Sequence, residues 1–235
     1  GAIEIGVVGD LDVDATIAAV ARTLGALPPR EPRPALEGLR HISRPAQPFT
    51  QAFTFSSAIP KGVVALYWPT ADARDVHRTR RLSLLADVLS DRLRRKIRDE
   101  LGDAYSPEAE NASSEVYRDF GWMRSTLTVD PARAARIAEV AVALADDLAT
   151  HGLTADELAR AKLPALTFIR ESARTNNYWL GAVVSRAQED PAVLDRARSR
   201  LSDIEAVTTA DLKALARDYL GAGRVFRVTI LPGQK

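Results

Sequence analysis

The chain has 235 residues, of which 46% are hydrophobic and 27% charged, and its net charge is +1. This composition is ordinary for a globular protein, and without a basic excess it argues against nucleic acid or an acidic membrane surface as a partner. The sequence has no cysteine, which excludes disulfides, thiolate catalysis and thiolate metal ligands. No apolar run approaches the roughly 20 residues that a membrane-spanning helix needs.

The first part of the chain is predicted to form a strand over residues 3–8 and a helix over residues 13–27. A tight turn joins them, and Asp12 is a candidate N-cap of the helix. The turn lacks the third glycine of a dinucleotide-binding fingerprint, so a phosphate site is not favoured. Because the chain opens on Gly1 and enters the strand at once, we interpret it as a piece of a longer protein.

The next segment, residues 28–48, is rich in proline and arginine. Such a composition is typical of an extended connection without a core of its own. The segment is short for a boundary between independent domains. We therefore interpret it as a crossing loop inside a single domain of residues 1–235.

Two strands and a long helix are predicted next. Residues 49–57 carry phenylalanine at alternating positions, which indicates a strand with one buried face, and residues 63–68 form a second strand that stops at Pro69. A helix over residues 72–101 follows, with Gly102 as a candidate C-terminal cap. Its apolar stripe consists of Leu82, Leu85, Leu89, Leu93, Ile97 and Leu101.

The second half of the chain continues with strands and then helices. Strands are predicted at residues 105–114, 117–129 and 225–231, and helices at 132–150, from 154, at 177–189 and from 208. Thr154 and Glu157 are spaced as a capping box. This order lacks the strict alternation of a doubly wound parallel sheet. It predicts an α+β fold in which helices pack on one face of an antiparallel or mixed sheet.

A metal site is not predicted. A catalytic zinc ion usually takes three protein ligands, often including two histidines on one helical turn. The three histidines, His41, His77 and His151, are far apart in the sequence, and neither H-x-x-E-H nor H-E-x-x-H occurs. We expect all three at the solvated surface.

A dense basic run lies at the end of the long helix and consists of Arg92, Arg94, Arg95, Lys96 and Arg98. Basic side chains near a helix C-terminus complement its dipole by roughly 0.3–1 kcal/mol each. Because these positions wrap around the helix, they do not predict one binding stripe.

The connection from this helix to the next strand holds the candidate site. Arg98 stands about one turn before the helix end, and Tyr105 opens the strand, so both side chains could point toward one space beside the sheet. A guanidinium and a phenol could bind a peptide carbonyl or a developing oxyanion. The alternative, an exposed arginine and a half-buried tyrosine at a strand start, is favoured on the residues alone.

Four segments together resemble the second half of pitrilysin/insulinase-type zinc metallopeptidases, most of all the long bacterial members. They are Arg98…Gly102…Tyr105-Ser106, Ile5-Gly6-Val7-Val8-Gly9-Asp10-Leu11-Asp12, Leu153-Thr154-Ala155-Asp156-Glu157-Leu158-Ala159-Arg160-Ala161-Lys162 and Thr175-Asn176-Asn177-Tyr178-Trp179-Leu180. For Tyr178 and Trp179, packing within the fold is favoured over substrate contact. The resemblance covers residues 3–231.

The resemblance implies a fold and a function. The chain would be one repeat of the family's homologous α+β domains, in the half that binds no zinc. Arg98 and Tyr105 would contact a peptide substrate, with no catalytic residue in this segment. Zinc would be held by the N-terminal half of the same protein, which is the expected partner together with unfolded peptide. The sequence does not fix the compartment, and the periplasm or cell envelope is favoured over the cytoplasm.

Two alternatives stay open. A non-catalytic structural or assembly subunit could have the same fold, and the sequence of the N-terminal half would distinguish it. A separate peptide-binding module would show measurable peptide affinity by itself.

Overall fold

The computed structural model describes residues 3–31, 34–100 and 104–233, without the side chains of residues 99, 100 and 104–106. The chain divides into two compact units, Gly1–Leu39 with Leu166–Ser202 and Arg40–Ala165 with Asp203–Lys235. Their boundary at residues 39–40 falls inside the proline-rich segment. The single domain of residues 1–235 stays a prediction.

The larger unit is built on a mixed five-stranded sheet with the order β1-β5-β2-β4-β3. The strands are Thr50–Phe55 (β1), Gly62–Thr70 (β2), Ala104–Ser113 (β3), Gly121–Val129 (β4) and Phe226–Pro232 (β5). Only the β1–β5 pair is parallel, and the other three pairs are antiparallel. The sheet therefore has two edges, β1 and β3.

Helices occur in both units, and two of them extend across the division of the chain. They are Val13–Arg22 (α1), Val76–Leu93 (α2), Ala134–Thr150 (α3), Ala155–Ser172 (α4), Asn176–Tyr178 (α5), Val193–Ala206 (α6) and Thr209–Tyr219 (α7). Two π-helical segments, Arg94–Glu100 and Trp179–Val183, continue α2 and α5. None of the helices in the described part of the chain has the length and apolarity that crossing a bilayer needs.

The core of the larger unit lies between the sheet and helices α2, α3 and α7. In β4, buried residues alternate strictly with half-buried ones, and β2 follows a similar pattern. The side facing the helices includes Leu66, Trp68 and Leu127, all fully buried. We call the opposite side, which carries Phe53, Tyr67, Trp122, Arg124 and Phe226, the open face. The α+β prediction with helices on one face of a mixed sheet is confirmed.

The predicted starts of α1 and α4 agree with the structure, and a side chain caps each of them. The Asp12 carboxylate accepts a hydrogen bond from the Ala15 amide at 2.8 Å. At α4 the Thr154 amide donates to Glu157 Oε2 at 2.8 Å, and the Glu157 amide donates to Thr154 Oγ1 at 3.2 Å. The described members of the apolar stripe are all fully buried: Leu82, Leu85, Leu89, Leu93 and Ile97. Leu101 and the predicted cap Gly102 lie outside the described residues.

Two strand predictions need correction. Residues 3–8 form no strand, and Ile3, Ile5 and Val7 are exposed, because this β-type pattern pairs with no described strand. The predicted buried face of residues 49–57 is also wrong, although the strand itself exists as β1. All six residues of β1 are exposed, because β1 is an edge strand and its phenylalanines lie on the open face.

Two boundaries and one helix also differ from the predictions. Strand β2 runs through Pro69 to Thr70, since its pairing with β5 ends at Tyr67 and leaves the Pro69 region with only β4 as a strand neighbour. Helix α2 begins after Asp75, whose carboxylate accepts from the Arg78 amide at 2.9 Å. Helix α6 was not predicted, since its apolar residues are few among many charges.

Candidate functional site

Helix α2 changes its winding before β3 begins. After Leu93 the chain continues as the π-helical segment Arg94–Glu100. Ile97 remains fully buried there, while Arg98 beside it is exposed. Among the described residues, none forms an ion pair or hydrogen bond with the Arg98 guanidinium. π-Helical turns are rare in proteins overall, but many of them occur at functional sites. We therefore treat Arg98 as a candidate functional residue.

Tyr105 lies in β3, where its backbone pairs in register with Thr128 of β4. The register shifts between Tyr105 and Glu108, so the strand is irregular immediately after the tyrosine. The Tyr105 side chain lies outside the described residues. Its predicted convergence with Arg98 therefore stays a prediction.

Two other arginines of the basic run, Arg92 and Arg94, are held by ion pairs. Arg92 donates to Glu157 Oε1 at 2.7 Å, to Asp147 Oδ2 at 2.7 Å and to the Gly152 carbonyl at 2.8 Å. Burial by itself would raise the pKa of Glu157, but the hydrogen bonds from Arg92 and Thr154 outweigh it and lower that pKa. Arg92 thus ties α2 to the end of α3 and the start of α4, one and a half turns before Arg98.

A hydroxyl on α2 occupies the outer edge of β3. Ser90 Oγ accepts a hydrogen bond from the Ala109 amide at 2.6 Å and donates to the Ala109 carbonyl at 2.9 Å. Both polar backbone groups of Ala109 are thereby satisfied by a side chain. An incoming strand would have to displace Ser90 to pair there.

An aromatic and charged cluster lies on the open face of β2, β4 and β3. The Tyr67 and Trp122 rings meet edge to face with centroids 6.0 Å apart, and the Arg124 guanidinium lies 5.2 Å from the Trp122 ring. Arg124 also forms an ion pair with Glu110. This cluster was not predicted, although the alternation of residues 121–129 places Trp122 and Arg124 on one face.

The smaller unit contains Tyr178 and Trp179, whose packing was weighed above against substrate contact. The Arg200 guanidinium lies 5.4 Å from the Phe168 ring and 5.1 Å from the Tyr178 ring. Trp179 Nε1 donates to the Ala173 carbonyl at 2.8 Å. These contacts favour packing as the role of Tyr178 and Trp179.

The described residues do not fit a zinc site. His41, His77 and His151 are exposed, and His77 and His151 each lie beside an aspartate, Asp203 at 3.2 Å and Asp147 at 2.8 Å. No group of three or more potential ligands occurs in the described ranges of the chain. No chemistry of a metal ion is therefore assigned to this segment.

Comparison with solved structures shows the fold. The periplasmic protease PqqL from Escherichia coli matches with a TM-score of 0.74 at 16% identity, over 96% of this chain and 25% of that chain. A peptidase M16 inactive domain from Pseudomonas fluorescens matches with a TM-score of 0.74 at 19% identity, over 96% of this chain and 53% of that one. The chain thus spans about a quarter to a half of these proteins.

Comparison of sequences shows the family. The chloroplast stromal processing peptidase of Oryza sativa subsp. indica is 31% identical over 101 residues, which are 43% of this chain and 8% of that protein. The family described as "Peptidase M16 inactive domain" matches residues 1–164, more than half of the chain. The resemblance to pitrilysin/insulinase-type peptidases is confirmed, and the chain belongs to the peptidase M16 inactive domain family.

Proposed function

We propose that this chain is the peptide-contacting, non-catalytic part of a zinc-dependent metallopeptidase and is proteolytically inactive alone. The observation that carries the proposal is the exposed Arg98 in the π-helical segment that leads into β3. The family and the protease names of the matched proteins support a role in peptide hydrolysis.

Arg98 suits a peptide carbonyl because its charge is not taken up by a described neighbour. Arg92, earlier in the same run, donates hydrogen bonds to Glu157, Asp147 and the Gly152 carbonyl, and Arg94 forms an ion pair with Asp91. A guanidinium with open donors forms charge-assisted hydrogen bonds to an oxygen that gains negative charge. Tyr105 would add a hydroxyl donor from the start of strand β3.

The zinc ion of such an enzyme would be held elsewhere, in the N-terminal half of the parent protein. That half and an unfolded peptide are then the partners of this chain. The periplasmic protease among the matched structures supports a periplasmic or envelope location over the cytoplasm.

The test uses the intact parent protein and a peptide substrate. Arg98→Ala should lower kcat/KM about 10- to 100-fold, the range expected when a hydrogen bond to a charged group is lost in the transition state. Arg95→Ala is the matched control, since Arg95 is exposed in the same π-helical segment. It should leave kcat/KM within about twofold, as is usual for an exposed charge.

Tyr105 is tested in the same assay. Tyr105→Phe should lower kcat by about tenfold, since one hydrogen bond contributes roughly that factor. Tyr117→Phe, in the β3–β4 turn, is the control. Unchanged turnover with Tyr105→Phe would remove this hydroxyl from the proposed role.

A second candidate is a structural or assembly subunit, which the uncharged and exposed edge strand β1 favours. Metal analysis of the intact parent protein separates the two. About one zinc ion per chain together with peptidase activity supports the first candidate, and a protein without zinc and without activity supports the second.

A further inference from the structure

Strand β1 is an edge strand whose outer side is unprotected. The sequence from Pro45 to Pro60 contains no charged residue, and β1 contains no proline or register shift. Natural edge strands usually carry charges, prolines or bulges, because a bare edge pairs with other strands. Their absence here indicates that this edge is paired in the working protein.

The ladder with β5 shows which backbone groups are available. The Phe49 carbonyl accepts from the Arg227 amide at 2.9 Å, and the Phe55 carbonyl accepts from the Gly233 amide at 2.8 Å. Along a parallel ladder the bonded residues alternate, so the odd-numbered residues of β1 bond to β5. Thr50, Ala52 and Thr54 then present their amides and carbonyls to the outer side.

The side chains of β1 alternate between the two faces of the sheet. Phe49 contacts Phe226 edge to face with centroids 5.1 Å apart, and Phe53 pairs in register with Ile230. Phe49, Phe53 and Phe55 are 41%, 47% and 43% exposed on the open face. The opposite face of β1 carries only threonine and alanine.

We propose that this edge binds a second copy of the chain, β1 against β1 in antiparallel orientation about a twofold axis at Ala52. In this register Ala52 faces Ala52 of the other copy, Thr50 faces Thr54, and Phe49 faces Phe55. The outward amides and carbonyls of Thr50, Ala52 and Thr54 then exchange hydrogen bonds. Residues of one face meet residues of the same face, as cross-strand pairing requires.

A second copy fits this edge because the strand is complementary to itself. A twofold interface places the same surface on both subunits, so a charge in β1 would meet its equal nearby. β1 has none. The twofold axis also brings the phenylalanines of both copies together on one side of a continuous sheet and covers rings that are now exposed.

The test is the oligomeric state of the 235-residue chain by sedimentation velocity. We expect a dimer with a dissociation constant below about 100 µM, a modest affinity for one strand pair with aromatic contacts. Phe53→Lys should shift the chain to monomer, because it places like charges near each other across the axis. Val116→Lys is the control, since Val116 is 52% exposed in the β3–β4 turn. It should leave the dimer intact.

A second measurement tests the register independently of stability. Because the chain has no cysteine, Ala52→Cys introduces a single thiol. Residues facing each other in a hydrogen-bonded antiparallel pair have Cα atoms about 5.5 Å apart, within reach of a disulfide. Mild oxidation should link Ala52→Cys copies and leave Val116→Cys copies unlinked. A chain that stays monomeric at about 100 µM, a dimer unaffected by Phe53→Lys, or equal linking at both positions would each overturn the proposal.

Discussion

The two edges of the sheet differ in how their outward backbone groups are protected from pairing with another strand. At β3, Ser90 of α2 bonds both polar backbone groups of Ala109, the register shifts after Tyr105, and Glu108 and Glu110 add charge. At β1, six exposed residues carry no charge, and β5 is their one strand partner within the described part of the chain. The protein therefore protects the edge beside Arg98 and leaves the other edge ready for a strand.

The difference locates two kinds of contact on one sheet. Beside β3 a ligand would meet side chains, because the backbone edge at Ala109 is already occupied. Beside β1 it would meet backbone groups, because those of Thr50, Ala52 and Thr54 face outward. A strand is thus accommodated at β1 better than at the Ala109 region of β3, whereas a peptide beside Arg98 would be held by side chains.

The largest effect on stability is expected at Arg92, which joins α2 to the end of α3 and the start of α4. Arg92→Met should lower the free energy of unfolding by about 3 kcal/mol, because it leaves the largely buried Glu157 carboxylate without its cation. Arg94→Ala is the matched control, since its pair with Asp91 is more exposed, and it should cost less than about 1 kcal/mol. Urea denaturation of both variants measures the difference. Equal losses would contradict the assigned role of Arg92.

The same ion pair predicts a pH dependence. The pKa of Glu157 is lowered from its ordinary value near 4.5, so the folded state binds this proton less readily than the unfolded state. The stabilisation is complete above pH 4.5 and is lost as the pH falls through the lowered pKa. The stability difference between the wild type and Arg92→Met should therefore be largest near neutral pH and shrink on acidification. A difference that grows on acidification would contradict this linkage.

The next effect concerns the protection of the β3 edge. Ser90→Ala should cost about 2 kcal/mol, because two polar groups of the buried Ala109 lose their partner. Ser83→Ala is the control: Ser83 lies on an exposed part of α2 and bonds only the Thr79 carbonyl of its own helix. It should change stability by less than about 0.5 kcal/mol. Amide exchange at Ala109 should also accelerate in Ser90→Ala alone.

Much of the fold could be predicted from local patterns. The leucine stripe of α2, the capping box at Thr154 and Glu157, and the alternation in β2 and β4 each encode burial through spacing. The phenylalanines of β1 were wrongly predicted to be buried, because alternation records which residues share a face, not whether that face is covered. Whether residues 3–8 form a strand likewise depends on a partner that their own sequence does not specify.

The candidate site was predictable only in part. The exposure of Arg98 was one of the two possibilities that the residues allowed, but the π-helical winding that separates it from Ile97 has no simple periodic signal. The Ser90–Ala109 bonds and the Tyr67–Trp122–Arg124 cluster join strands and helices that are distant in sequence. Such contacts follow from register and topology, which the pattern of a single segment does not contain.

The smallest effect is expected at the β1 edge. Phe55→Thr should lower the stability of the monomer by about 1 kcal/mol or less, because a large part of the ring is already in water and threonine favours a strand. Leu66→Ala, in the covered side of β2, should cost about 3 kcal/mol by leaving a cavity. Both are measured by denaturation at low protein concentration, where self-association does not contribute. A loss of 3 kcal/mol or more at Phe55 would mean that the ring belongs to the core of the unit, and the contrast between a protected and an exposed edge would fail.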